Sequence, residues 1–216
     1  MRETVREEKE RSQLKRSLSS LALLLVLVTY GVPALAQGEA GRAQGPSTVL
    51  DYFLRLPQEY LVNYPIGGSR REREAAITVR DLRNGFLQIG KPGEGESATV
   101  ALFRKPDGRA LIAVESNLCA LKCEQKLFFL QYENGAWSDV TEEMLPRIDD
   151  RAVRARVERE TKAERGIGPD NYAYQLLYKL PRTGTTIIVT ENWSNKKVGE
   201  LLWVTGKFTP KLARGK

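Results

Sequence analysis

The sequence predicts an α+β chain, mainly antiparallel β: a duplicated four-stranded meander with an N-terminal helix and a linking helix. Three observations predict it. From Ile77 onward, apolar residues alternate with period two between strong turn signals. Two stretches, one before that region and one inside it, carry a helical spacing instead. And LFRKPDGRALIAVES at 102–116 is echoed by LYKLPRTGTTIIVTEN at 177–192, with Leu, aromatic, base, Pro, Gly and a β-branched run ending in Glu in the same order.

In chain order, residues 1–36 read as a secretory signal peptide. LALLLVLV (Leu21 to Val28) lies in an apolar run reaching Val32, preceded by Lys15 and Arg16 and followed by Pro33 and ALAQ. Small Ala34 and Ala36 set a cleavage between Ala36 and Gln37. The apolar core is about a dozen residues, short of the roughly 20 that span a bilayer. Cleavage is therefore favoured over an uncleaved anchor, and no cysteine stands at the cut to take a lipid. The acidic leader MRETVREEKERSQLKR suits a signal poorly, and a start codon set too early accounts for it. No transmembrane helix is expected after cleavage.

Residues 37–46 form a flexible lead-in, small and polar. The first folded segment, 47–147, comprises the N-terminal helix and the first β unit. Thr48 and Asp51 form a T-x-x-D cap, and Val49, Tyr52, Phe53, Leu56 and Tyr60 make an apolar stripe over three turns, kinked or restarted at Pro57. ITVRDLRNGFLQIG then places Asn84-Gly85 between two strands as a type I′ hairpin, whose turn needs positive φ at both positions. ATVALFRK and RALIAVES follow, joined by the turn PDG, and KLFFLQYENGAWSDVT closes the unit with a second Asn-Gly hairpin. Residues 148–168 are a helical linker in which Arg154–Glu158 and Arg156–Glu160 pair at i,i+4. The second β unit spans 169–211, and 212–216 form a basic tail.

The repeat aligns Leu102, Phe103, Arg104 and Pro106 with Leu177, Tyr178, Lys179 and Pro181. Gly108, Leu111, Ile112 and Glu115 meet Gly184, Ile187, Ile188 and Glu191, and Leu130, Tyr132, Gly135 and Trp137 meet Leu201, Trp203, Gly206 and Phe208. In each final hairpin two aromatics then stand opposite, Tyr132 with Trp137 and Trp203 with Phe208, which pins the register. ALIAV, LFFL and TTIIV are apolar on both faces, so both sheet faces need cover, from the helices or from each other.

The chemistry-bearing residues are sparse. The chain has no histidine, which removes His–Asp relays, imidazole ligands and the usual base near neutral pH. Cys119 and Cys123, in the loop NLCALKCEQ, read as a disulfide in an exported chain. A redox pair would be C-x-x-C rather than C-x-x-x-C, and metal ligation would want a histidine or a second cysteine pair. KPDG and KPGEGE lack calcium-loop spacing. NWS at 192–194 is a glycosylation acceptor only in a eukaryotic secretory route. Trp193, in a predicted loop, is a possible contact surface, with capping of the sheet end as the competing reading. No catalytic, cofactor-binding or metal-binding residue is assigned, and no cofactor is expected. The formal charge of +7 falls to about +5 without residues 1–36 and is spread widely; an exported chain argues against a nucleic-acid partner and leaves an anionic surface such as membrane or cell wall as a candidate.

ALFRKPDGRALIAV, LQYENGAWSDVT and LPRTGTTIIV resemble the corresponding segments of small secreted bacterial proteins, uncharacterised, that share an ALF-K-x-DG, Y-x-NG-x-W-x-DVT and LP-x-x-GTTI pattern. The likeness covers about Ile77 to Phe208, and its motifs are turns and aromatic pairs. It implies bacterial origin and export, and carries no functional residue. The expected function is a non-catalytic binding module of the periplasm or the extracellular space, with an unknown envelope or extracellular partner and no oligomeric state implied. The alternatives are a carboxylate-dependent hydrolase of envelope polymers or peptides, and a structural envelope protein.

Overall fold

The computed structural model describes residues 45–62, 64, 68–93, 95–119, 123–165 and 174–213. The expected cleavage between Ala36 and Gln37, and nearly all of the lead-in, lie outside them.

The chain is mostly antiparallel β, in two sheets. The first holds six strands in sequential order: β1 (Ile77–Asp81), β2 (Phe86–Gly90), β3 (Gly95–Arg104), β4 (Ala110–Cys119), β5 (Cys123–Glu133) and β6 (Ala136–Asp139). The second holds β7 (Leu176–Lys179), β8 (Ile187–Glu191), β9 (Lys197–Val204) and β10 (Lys207–Leu212), again sequential. Among the described residues four α-helices accompany them: α1 (Val49–Phe53), α2 (Arg70–Ala75), α3 (Thr141–Met144) and α4 (Asp150–Arg165).

The N-terminal helix is shorter than its apolar spacing suggests. The capping box forms, with Asp51 N–H donating to Thr48 Oγ1 and Thr48 N–H to Asp51 Oδ2. The helix nevertheless ends at Phe53, a 3₁₀ turn follows at Gln58–Tyr60, and Pro57 sits between as an extended cap. Arg73, buried on α2, explains why so short a helix holds. Its Nη1 donates to the carbonyl of Phe53 (2.8 Å), which also accepts from Leu56 N–H, and to that of Leu56 (2.6 Å), past the end of the helix.

Alternation along the long strands gives the first sheet two apolar faces with different covers. Leu87, Ile89, Val100, Ile112, Val114 and Leu130 face Val49, Tyr52, Phe53, Leu56 and Leu61 of the N-terminal segment. Ala101, Phe103, Leu111, Ala113 and Phe129 point the other way, toward Ile187, Val189, Leu201 and Phe208 of the second sheet and Val153 and Val157 of α4. The sequence requirement that both faces be covered is met for this sheet by the N-terminal segment on one side and the second sheet with α4 on the other. In the second sheet Ile188 is only half-buried and lies opposite Glu200, so TTIIV carries an outer face that is not part of the core.

One turn expectation is corrected. The connection from β1 to β2 is four residues, Asp81 pairing with Phe86. Gly85 has φ +65° but Asn84 is not among the positive-φ residues; its N–H and side-chain amide both donate to Asp81. An Asx-type cap has replaced the two-residue type I′ turn. In the β5–β6 hairpin Asn134 and Gly135 do take φ of 52° and 84° between paired Glu133 and Ala136. The β9–β10 hairpin uses the same turn with Thr205 at φ 48° and Gly206 at 86°. A β-branched residue is strained there.

The two final hairpins match: Tyr132 stands opposite Trp137 with rings 5.0 Å apart, and Trp203 opposite Phe208 at 4.7 Å. The inner registers do not. Ile112 pairs with Leu130 and faces the N-terminal helix, whereas Ile188 pairs with Glu200, and Ile187 takes the place opposite Leu201. A one-residue slip exchanges the faces of a strand, so the correspondence centred on Ile112 and Ile188 fails at residue level. Strand order and the closing hairpin are what the two meanders share. The first sheet also exceeds a four-strand unit, because β1 and β2 extend it.

Phe208 is buried among Phe103, Phe129 and Trp203. Phe208→Ala should destabilise by about 3 kcal/mol or more in urea unfolding, and a loss below about 1 kcal/mol would contradict this packing. Thr205→Asn, at an exposed position where Asn tolerates positive φ, should stabilise by about 1 kcal/mol in the same assay.

Candidate functional site

The face that the first sheet turns toward the second is not apolar throughout. Cross-strand register places Phe86, Ala101, Ala113 and Phe129 in one row. Two residues along each strand, on the same face, come Gln88, Thr99 and Glu115, and two further Ser97, Asn117 and Gln125. Gln88, Ser97, Thr99, Glu115 and Gln125 are all buried. Beside this polar half lies a cavity of ≈ 250 Å³, whose lining includes Gln88, Thr99, Glu115 and Gln125 on one wall and Leu177 and Leu180 on the other. Phe86, Tyr178 and Lys179 also border it.

Apart from Ser97, whose buried hydroxyl has no partner among the described residues, these side chains are hydrogen-bonded as burial requires, and their partners define the site. Gln88 Nε2 donates to Ala98 O at 2.8 Å, and Thr99 Oγ1 donates to Gln88 Oε1 at 3.3 Å. Asn117 Nδ2 donates to Glu115 Oε1 at 2.7 Å, and Gln125 Nε2 donates to Asn117 Oδ1 at 3.1 Å. The same Gln125 amide engages the backbone of β7: Tyr178 N–H donates to its Oε1 at 2.5 Å, and its Nε2 donates to Tyr178 O at 3.1 Å. Leu180 N–H donates to Glu115 Oε2 at 3.3 Å. Gln175 returns the gesture, its Nε2 donating to Gln125 O at 2.6 Å and its Oε1 accepting from Gln125 N–H at 3.4 Å. Two glutamine amides thus stand in for peptide groups where the edge of β7 meets that of β5.

Glu115 is the titratable group of this network. Burial pushes its carboxyl above the ordinary glutamate range. The hydrogen bonds from Asn117 and from Leu180 N–H, and the charge of Lys179, act in the opposite direction without cancelling the desolvation.

Glu191, the other buried carboxylate among the described residues, is placed differently. It accepts from the N–H groups of Trp193 (2.7 Å), Ser194 (3.0 Å) and Lys196 (3.0 Å), and from the Ser194 hydroxyl. It organises the loop after β8 and does not line the Glu115 cavity. Trp193 is buried in that loop, its ring 5.0 Å from Tyr174 and beneath the Arg154 guanidinium at 5.6 Å. This corrects Trp193 as a contact surface: its indole joins the core.

Cys119 and Cys123 were expected in a loop. Instead β4 and β5 run up to them, and the register sets the two Cα atoms opposite one another at the closed end of the hairpin. The described residues contain no free cysteine and no group of acidic or cysteine side chains able to hold a metal. Cys119 also borders the cavity.

Sequence reasoning missed Glu115 as a site residue, although it aligned Glu115 with Glu191. The signal was alternation: Leu111, Ala113, Glu115 and Asn117 share one strand face, and a carboxylate falls where an apolar residue is due.

The fold is thus an α+β domain dominated by two antiparallel sheets, with a cavity of mixed lining at their junction. No protein-family model matches the sequence, and neither does any curated protein. Among solved structures, the chain is similar to a domain of an uncharacterized protein from Porphyromonas gingivalis W83, at 13% identity over 76% of this chain and 98% of that one, with a TM-score of 0.46. Among the described residues, no helix is long and apolar enough to cross a membrane.

The sign of the Glu115 contribution is fixed by its raised pKa. Between the ordinary glutamate range and that higher value the native state holds a proton that the unfolded state has lost, so stability falls as pH rises through the window and levels off above it. Asp51, Asp81, Asp107 and Glu200 are shifted down and act in the opposite sense at lower pH. Urea unfolding between about pH 4 and pH 8 should therefore show a descent in the wild type that Glu115→Gln lacks. Equal slopes in the two proteins would remove Glu115 from the account.

Proposed function

We propose that this chain is a non-catalytic binding module of the bacterial envelope or extracellular space. One observation carries the reading: among the described residues the buried carboxylates occupy separate places, so a single carboxylate faces the junction cavity. Paired-carboxylate hydrolysis needs two across one cleft, roughly 5–9.5 Å apart. Glu191 is committed to the N–H groups of its own loop, and Glu115 accepts from Asn117 and Leu180. A cavity with apolar walls and a few convergent polar groups suits retention of a ligand.

Export rests on the N-terminal pattern, LALLLVLV followed by ALAQ, and on the likeness to small secreted bacterial proteins. In that compartment Cys119 and Cys123, opposed in register, form a disulfide that staples the β4–β5 hairpin. The two meanders derive from one duplicated unit, a reading supported by their common strand order and matched final hairpins.

Intact mass of the protein recovered from its native host tests export and disulfide together. It should correspond to a chain beginning at Gln37 and lacking two thiol hydrogens; retention of Leu21 to Val28, or two alkylatable thiols, would contradict the reading. Binding is tested by passing envelope extract over the immobilised chain. A specifically retained molecule is expected, whereas turnover of peptidoglycan or peptide substrates that Glu115→Gln abolishes would favour the hydrolase.

A further inference from the structure

We propose that the junction cavity is a binding site for a small primary ammonium compound with a short apolar body, its charge received by Glu115. The inference deepens the binding-module reading and rests on it.

Size comes first. A cavity of ≈ 250 Å³ takes a molecule of a few heavy atoms rather than a polymer segment. Its walls divide by chemistry: Phe86, Leu177 and Leu180 offer apolar surface, while Thr99, Glu115 and Gln88 converge from three neighbouring strands. Of the convergent groups Glu115 alone can bear a charge. Its oxygens accept from Asn117 and from Leu180, with the Gln125 amide as a further donor, and a carboxylate offers about four acceptor sites. Acceptor capacity toward the cavity therefore remains, in a setting of low dielectric where a charge-assisted bond is strong. Gln88 and Thr99 are already bonded to each other, but the Thr99 oxygen can still accept. An ammonium group, with three donors and no acceptor, answers such a site.

The alternatives fit less well. An anion would be repelled by the Glu115 carboxylate, and a neutral alcohol brings it one donor where an ammonium group brings three and a charge. Lys179, exposed on β7, is the charged side chain facing Glu115 from the opposite wall. Gln88 on β2, Thr99 on β3, Asn117 on β4 and Gln125 on β5 do not titrate. Binding of a cation would draw the Glu115 carboxyl downward and release a proton. Affinity should thus fall by about tenfold per pH unit once the pH drops below the pKa of Glu115 in the ligand-free protein.

The test is an NMR titration of the ¹⁵N-labelled protein with butylammonium, butanol and butyrate, at several pH values. Support is a saturable shift of the Thr99, Glu115 and Tyr178 amides with butylammonium, weakening in acid and at least about tenfold weaker in Glu115→Gln. Should that variant not fold, the acid dependence and the three-probe comparison in the wild type still decide. Equal response to butanol, a preference for butyrate, or no response in these amides would overturn the proposal. In the last case, retention of an envelope molecule through another surface would leave the binding-module reading standing.

Discussion

The arrangement depends on an exchange between two glutamine side chains. At Gln125 the first sheet still has an open edge, because β6 pairs with β5 only from Leu130 to Glu133. The outer edge of β7 is open as well, since β7 is the end strand of its sheet. Exposed strand edges invite foreign pairing. Here the Gln125 amide bonds both the N–H and the C=O of Tyr178, and the Gln175 amide bonds both the C=O and the N–H of Gln125. Each side chain acts as a short surrogate strand, and the two edges are tied without merging into one sheet.

That tie explains why the face between the sheets changes character along its length. Where Phe103, Ala113 and Phe129 meet Ile187, Leu201 and Phe208, close apolar packing holds the layers together. At the other end the backbone of β7 and of Leu180 just after it supplies donors and acceptors that apolar side chains cannot satisfy; Gln125 and Glu115 do so, with Asn117 bonded between them. A buried carboxyl with a raised pKa is the cost of that solution.

Much of the β architecture was legible because it is local. Alternation and turn residues located the strands, and the opposed aromatic pairs followed from hairpin geometry alone. The failures are tertiary. Asn84-Gly85 carries a strong hairpin signal, but Asp81 captures Asn84 and a longer turn wins. The apolar stripe on the N-terminal segment continues past Pro57 although the helix does not, since burial against the sheet needs apolar residues and not helical backbone. Inner registers of the second sheet could not be read, because the β8–β9 register shifts between Val189 and Thr190, where Val198 of β9 is skipped, and TTIIV is apolar at successive positions. The site was least legible of all. Gln125 and Gln175 are separated by fifty residues and look like ordinary polar positions until the two edges meet.

The glutamine tie can be measured at single amides by native-state hydrogen exchange. Tyr178 N–H donates to the Gln125 side chain, whereas Val114 lies deep in the first sheet. In Gln125→Ala, protection of the Tyr178 amide should fall by about tenfold or more, the worth of one net hydrogen bond, with a smaller change at Val114. Unchanged protection at Tyr178, or an equal loss at both amides, would contradict the claim that the side-chain amide holds the edge of β7.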